Sequence, residues 1–67
     1  MFNTNYTNEI NGLVLCTSTS TFLPRIGEKI KFSEYMDSVW FVITDIRYTF
    51  KPGGDSNPKV DIYIKPM

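Results

Sequence analysis

The sequence predicts an all-β protein, a small and strongly curved antiparallel barrel of four to five strands that ends in a β-hairpin. Three observations predict it. Aromatic and β-branched residues are abundant and alanine is absent, a composition that favours strands over helices. Apolar and polar residues alternate with a period of two in Lys29-Ile30-Lys31-Phe32 and again from Val60 to Lys65. Glycine and proline interrupt the chain at Gly12, Pro24, Gly27, Pro52 to Gly54, Pro58 and Pro66, so that each run between them is strand-sized. Short strands joined by tight turns close into a barrel or a curved sheet, because a flat open sheet leaves its edges exposed.

The elements follow in order. Residues 1–9 are polar apart from Met1, Phe2 and Tyr6, and are expected to form a loosely ordered arm. Residues 10–67 are expected to form the single barrel domain. Leu13-Val14-Leu15-Cys16 is a short apolar run, expected as a strand buried on both faces, with Thr17 to Thr21 either extending it or looping out. Pro24-Arg25-Ile26-Gly27-Glu28 is a turn, in which Pro24 fixes its own φ and Gly27 is free to take a positive one. Lys29 to Phe32 is a half-exposed strand with Ile30 and Phe32 inward. Ser33 to Ser38 is a polar connection.

Val39 to Phe50 is the strongest strand and is long enough to predict a bend or bulge. Its even positions, Trp40 to Phe50, are apolar or uncharged throughout. Its odd positions are apolar only as far as Ile43 and then turn polar at Asp45 and Arg47. Two arrangements satisfy this pattern. In one, Val39 to Ile43 is covered on both sides, the second side by the arm, another strand or a second chain. In the other, a bulge near Thr44 rotates the strand and sends Phe41 and Ile43 into one core.

Lys51 to Lys59 is a hairpin loop, and Val60 to Lys65 returns antiparallel. Inward residues must face inward partners, so even positions pair with even. The expected register sets Phe50 opposite Val60, Tyr48 opposite Ile62 and Ile46 opposite Ile64. Outside, it sets Arg47 opposite Tyr63 and Asp45 opposite Lys65. A shift of two residues would set Arg47 opposite Asp61 and Asp45 opposite Tyr63.

Composition limits the chemistry. The 67 residues leave room for one domain, and a chain this short has a marginal core unless a disulfide, a metal or association supports it. The single cysteine, Cys16, makes no disulfide within the chain, and with no histidine no zinc site is expected. The same absence removes Ser-His and Cys-His pairs, so no catalytic residue and no cofactor are expected. Seven basic and seven acidic residues cancel, which lacks the basic excess usual in nucleic-acid binders. No apolar run is long enough to span a membrane, and the N-terminal residues do not follow the signal-peptide pattern, so a cytoplasmic location is expected. Pro52-Gly53-Gly54-Asp55-Ser56 lies between strands rather than ahead of a helix, which is the context of a hairpin loop and not of a phosphate cradle.

Pro24-Arg25-Ile26-Gly27-Glu28-Lys29-Ile30, then Trp40-Phe41-Val42-Ile43, then the hairpin to Val60-Asp61-Ile62-Tyr63-Ile64 resemble the small five-stranded barrels of the Src-homology type. A Pro-x-x-Gly-acid-x-Ile turn ahead of a strand recurs in such barrels, including small accessory proteins of phages and mobile elements. The resemblance spans Leu23 to Lys65 and implies a fold, not an activity. The acidic and aromatic groove of the peptide-binding members is not visible.

The function expected is a non-enzymatic protein-interaction or assembly module, self-associating into a homo-oligomer, in the manner of a small accessory or inhibitor protein. Its expected interface is Trp40, Phe41 and Ile43. The alternative is a binder of single-stranded nucleic acid or a nucleotide, through an aromatic and basic patch of Arg47, Tyr63 and Lys65.

Overall fold

Among the described residues five segments adopt the extended conformation: β1 (Phe2–Asn8), β2 (Val14–Ser20), β3 (Lys29–Ile30), β4 (Phe41–Thr49) and β5 (Lys59–Pro66). The computed structural model describes residues 1–32, 39–50, 53 and 58–67, and among these there is no helix. The strands form one sheet in the order β2-β1-β5-β4-β3, curled into a half-barrel. β1 pairs antiparallel with β2, and β4 pairs antiparallel with both β3 and β5. β1 and β5 run parallel, so the sheet is mixed rather than wholly antiparallel.

The expected loose arm is strand β1, which lies inside the sheet between β2 and β5. Its polarity hid an alternation. Phe2, Thr4 and Tyr6 face the core, while Asn3, Asn5 and Thr7 face outward beside Lys59, Asp61 and Tyr63. Thr4 is wholly buried, and it is accommodated because its hydroxyl donates to the Ser18 carbonyl at 2.9 Å. That leaves the Ser18 hydroxyl, 2.8 Å away, to donate back to Thr4 Oγ1. A buried hydroxyl paired in this way avoids the desolvation cost of an orphan polar group.

β2 runs through the Thr/Ser stretch as far as Ser20, at the edge of the sheet. The expectation of a strand buried on both faces fails there, for Leu13 and Val14 are exposed. Among the described residues β2 has a strand neighbour on one side only, and the side chains of Leu13 and Val14 stay in water.

β4 carries its bulge at Thr44. Ile43 pairs with Ile64 and Asp45 with Tyr63, which leaves Thr44 unmatched. The extra residue reverses the alternation, so Phe41 and Ile43 on one side of it share a face with Ile46 on the other. Phe41, Ile43, Val60, Ile62 and Ile64 form the buried core, with Phe2, Tyr6, Leu15, Leu23, Ile30, Phe32, Val39 and Ile46 packed around it. Phe32 lies edge-on to Tyr6 at 5.6 Å and tilted against Phe41 at 5.7 Å, although it follows the two-residue β3 rather than belonging to it. The bulge thus places Phe41 in the core and Trp40 outside, the reverse of what the unbroken alternation of even positions implies.

The hairpin register is the two-residue shift. Arg47 lies opposite Asp61, Tyr48 opposite Val60 and Ile46 opposite Ile62. The bulge explains the difference, because the register must also bring Ile43 opposite Ile64 across the extra residue. The expected connection Ser33 to Ser38, and most of the expected loop Lys51 to Lys59, lie outside the described residues. The turn before β3 is present. Gly27 has φ 93°, the Glu28 amide donates to the Arg25 carbonyl at 3.1 Å, and the Arg25 amide donates to Glu28 Oε1 at 2.6 Å.

Candidate functional site

The outer face of the sheet carries one polar row through four strands. Thr17 on β2 pairs with Asn5 on β1, Asn5 with Asp61 on β5, and Asp61 with Arg47 on β4. The side chains follow the backbone register. Thr17 Oγ1 donates to Asn5 Oδ1 at 3.0 Å, and Asn5 Nδ2 donates to Asp61 Oδ1 at 3.4 Å.

Arg47 and Tyr63 share this face, as the sequence predicts, with the guanidinium carbon 4.7 Å from the ring centroid. They meet diagonally rather than directly opposite. Arg47 Nε also donates to Asp45 Oδ2 at 2.9 Å, so the cation has its counter-ion beside it. The Asp45 hydrogen bond is the main cause that raises the Arg47 pKa, with the field of Tyr63 next. Asp61 adds a second carboxylate to the same face, directly opposite Arg47 in the strand register. This half of the predicted patch therefore presents no net positive charge to a phosphate.

Lys65 stands apart from that pair. It lies opposite Val42, whose other neighbour is Lys29 on β3. Beside them Lys31 Nζ sits 5.1 Å from the centroid of the Trp40 ring. Trp40 is half exposed and lines a groove of about 520 Å³ with Lys29, Val39 and Met67. Of the three expected interface residues, Trp40 is thus at the surface, while Phe41 and Ile43 are buried within the chain itself. Composition alone did not bring Lys29 and Lys31 to this patch. The signal was their alternation with Ile30 and Phe32, which places both on the wet face.

The second candidate surface is the edge of β2. Among the described residues no strand lies beyond it. Unpaired strand edges are templates for further pairing, and proteins commonly guard them with charge, proline or brevity. β3, at the other edge, is two residues long and is bounded by Glu28 and Lys31. β2 has seven residues, Val-Leu-Cys-Thr-Ser-Thr-Ser, with no charge and no proline. A register shift opposite Tyr6 and Thr7 leaves Leu15 unmatched, and Cys16 to Ser20 is regular. Near the same end Ile10, Leu13 and Val14 are exposed.

Cys16 is a free thiol paired with Tyr6 on the inner side of the sheet. Burial, and to a lesser degree Cys16, push the Tyr6 phenol above its ordinary value of 10.0. Among the described residues no group of three acidic or cysteine side chains is placed to hold a metal ion, and no helix is long and apolar enough to cross a membrane. Compared with known proteins, the chain matches no family model, no curated protein and no solved structure.

Proposed function

We propose that the chain is a non-enzymatic assembly module that associates with further copies of itself by pairing along the edge of β2. The observation that carries this reading is the contrast between the two edges of the sheet, one short and bounded by charge, the other longer, uncharged and regular from Cys16 to Ser20. At about 3.4 Å per residue, seven residues offer an edge of roughly 24 Å. Antiparallel pairing of two such edges joins both sheets into one, and brings no like charges together in any register because β2 has none. Thr17 and Thr19 are then set among threonine and serine partners, a combination that contributes about 0.2–1 kcal/mol for each cross-strand pair.

The balance of apolar surface supports the same reading. Ten large hydrophobic residues are exposed and five are fully buried among those described, so the isolated chain leaves much of its apolar surface in water. Ile10, Leu13 and Val14, near one end of β2, would be covered in part by the second copy.

The test is the mass in solution by light scattering, together with variants that guard the edge. Wild type is expected to run as a dimer or larger. Thr19→Lys and Thr17→Lys, both at exposed positions on β2, are expected to run as monomers with an unchanged β-type circular dichroism spectrum. A wild type that stays monomeric at high concentration, or lysine variants that keep the wild-type mass, would remove the proposal.

A further inference from the structure

The outer face divides at the bulge into two halves whose cations differ in their partners. Beyond Thr44 the cation Arg47 is held by Asp45 and faces Asp61. Before it the cations are three lysines. Lys29 and Lys65 flank Val42 in one row across β3, β4 and β5, and Lys31 lies over Trp40. Three described carboxylates around this half each accept a hydrogen bond from a group other than these lysines. Glu28 Oε1 accepts the Arg25 amide at 2.6 Å, Glu9 Oε2 accepts the Thr44 hydroxyl at 2.9 Å, and Asp45 accepts Arg47 at 2.9 Å. Among the described residues none of these three lysines has a salt-bridge partner.

Trp40 gives the basic half a flat aromatic surface. Its ring is half exposed, and the groove it lines has Val39 and Met67 as apolar neighbours and Lys29 as a charged one. Lysines alone would suit any polyanion. A half-exposed indole among them suits a polyanion that carries flat rings, because bases stack on aromatic side chains whatever their sequence. Strands lie about 4.8 Å apart, so Lys29 and Lys65 stand roughly 10 Å apart across β4, which suits successive contacts along a backbone rather than a clamp on one anion.

We propose that this half of the outer face binds single-stranded nucleic acid, with Trp40 as the stacking platform and Lys29, Lys31 and Lys65 as the phosphate contacts. The site is independent of the β2 edge, since its residues stand on or beside β3, β4 and β5. Binding is weak and salt-sensitive, because three cations supply the attraction.

Trp40 is the sole tryptophan, so its fluorescence reports the site directly. The probe is an oligothymidylate of about ten nucleotides, within the footprint usual for small barrels. Saturable quenching is expected at low salt. The logarithm of the binding constant should fall with that of salt concentration at a slope of roughly −2, as three contacts to a single strand require. The double variant Lys29→Gln, Lys65→Gln, at exposed positions, should reduce the slope to roughly −0.7 while leaving the mass in solution unchanged. Trp40→Leu, followed by anisotropy of a labelled oligonucleotide, should weaken binding on the order of tenfold or more. Absence of binding at low salt, or a slope that the lysine pair does not alter, would overturn the proposal. So would quenching by polyglutamate where oligothymidylate gives none, which would make the partner an acidic peptide.

Discussion

At the scale of the residue, Tyr6 shows how a polar segment becomes part of a core. Its ring packs edge-on to Phe32 and its hydroxyl is shielded enough to raise the phenol pKa, with Cys16 adding to the shift. A phenol raised on folding stays protonated to higher pH in the folded state than in the unfolded chain. Its contribution is therefore fully present below the unfolded value of about 10 and is lost as pH rises through the folded value. Urea midpoints near neutral pH and above about pH 10 should show wild type losing stability more steeply than Tyr6→Phe. Equal losses in the two proteins would mean that the Tyr6 hydroxyl is not held away from water. Phe2 and Thr4 make the same point without a titration. Three inward residues at a period of two were present in the sequence, but the asparagines and threonines between them, and Thr4 itself, masked the pattern. A buried threonine that satisfies itself against Ser18 is not distinguishable in sequence from one in a loop.

At the scale of the element, the bulge in β4 decides which side chains are core. Thr44 is the residue without a cross-strand partner, so removing it restores a regular strand with Phe41, Ile43 and Ile46 still inward. Deletion of Thr44 is expected to leave a folded protein, less stable by about 1–2 kcal/mol for the loss of the hydroxyl contacts to Glu9 and the Tyr63 carbonyl. Deletion of Val42 forces either Phe41 or Ile43 outward, and should cost about 2–5 kcal/mol or unfold the chain. Denaturant melts that rank the two deletions in the opposite order would contradict the bulge assignment. The strand, the need for a bend and the Thr44 alternative were all legible in the run from Val39 to Phe50, because its polarity changes sides at Asp45. The choice between a bulge and a covered double face was not legible, since both satisfy the same alternation. The hairpin partner was legible from Val60, Ile62 and Ile64. Its register was displaced by two residues because Arg47 finds an attractive neighbour in either register, and only the bulge discriminates between them.

At the scale of the whole molecule, strand order carries the functional reading, and order is set by contacts distant in sequence. β1 and β5, from opposite ends of the described chain, lie side by side and parallel. That pairing moves the N-terminal residues inside the sheet and leaves β2 at its edge. No local pattern marks Val14 to Ser20 as an edge. The same residues would read identically in the middle of a barrel, so the sequence alone drew attention to β4 rather than to β2. The aromatic and basic surface was partly legible, since Arg47, Tyr63 and Lys65 are all on the outer face. Asp45 was legible as a neighbour of Arg47, two residues away on the same face, but Asp61 is set opposite Arg47 only by the register, and Lys29 and Lys65 are brought to either side of Val42 only by strand order. In the proposed assembly, β2 is where one copy meets another. Amide hydrogen exchange, read residue by residue at low and high protein concentration, tests it most directly. Amides from Cys16 to Ser20 should become more protected as concentration rises, and Thr19→Lys should abolish the gain while leaving β5 unchanged. Protection of β2 that does not vary with concentration, in a protein whose mass shows it to be associated, would contradict it and place the contact elsewhere on the sheet.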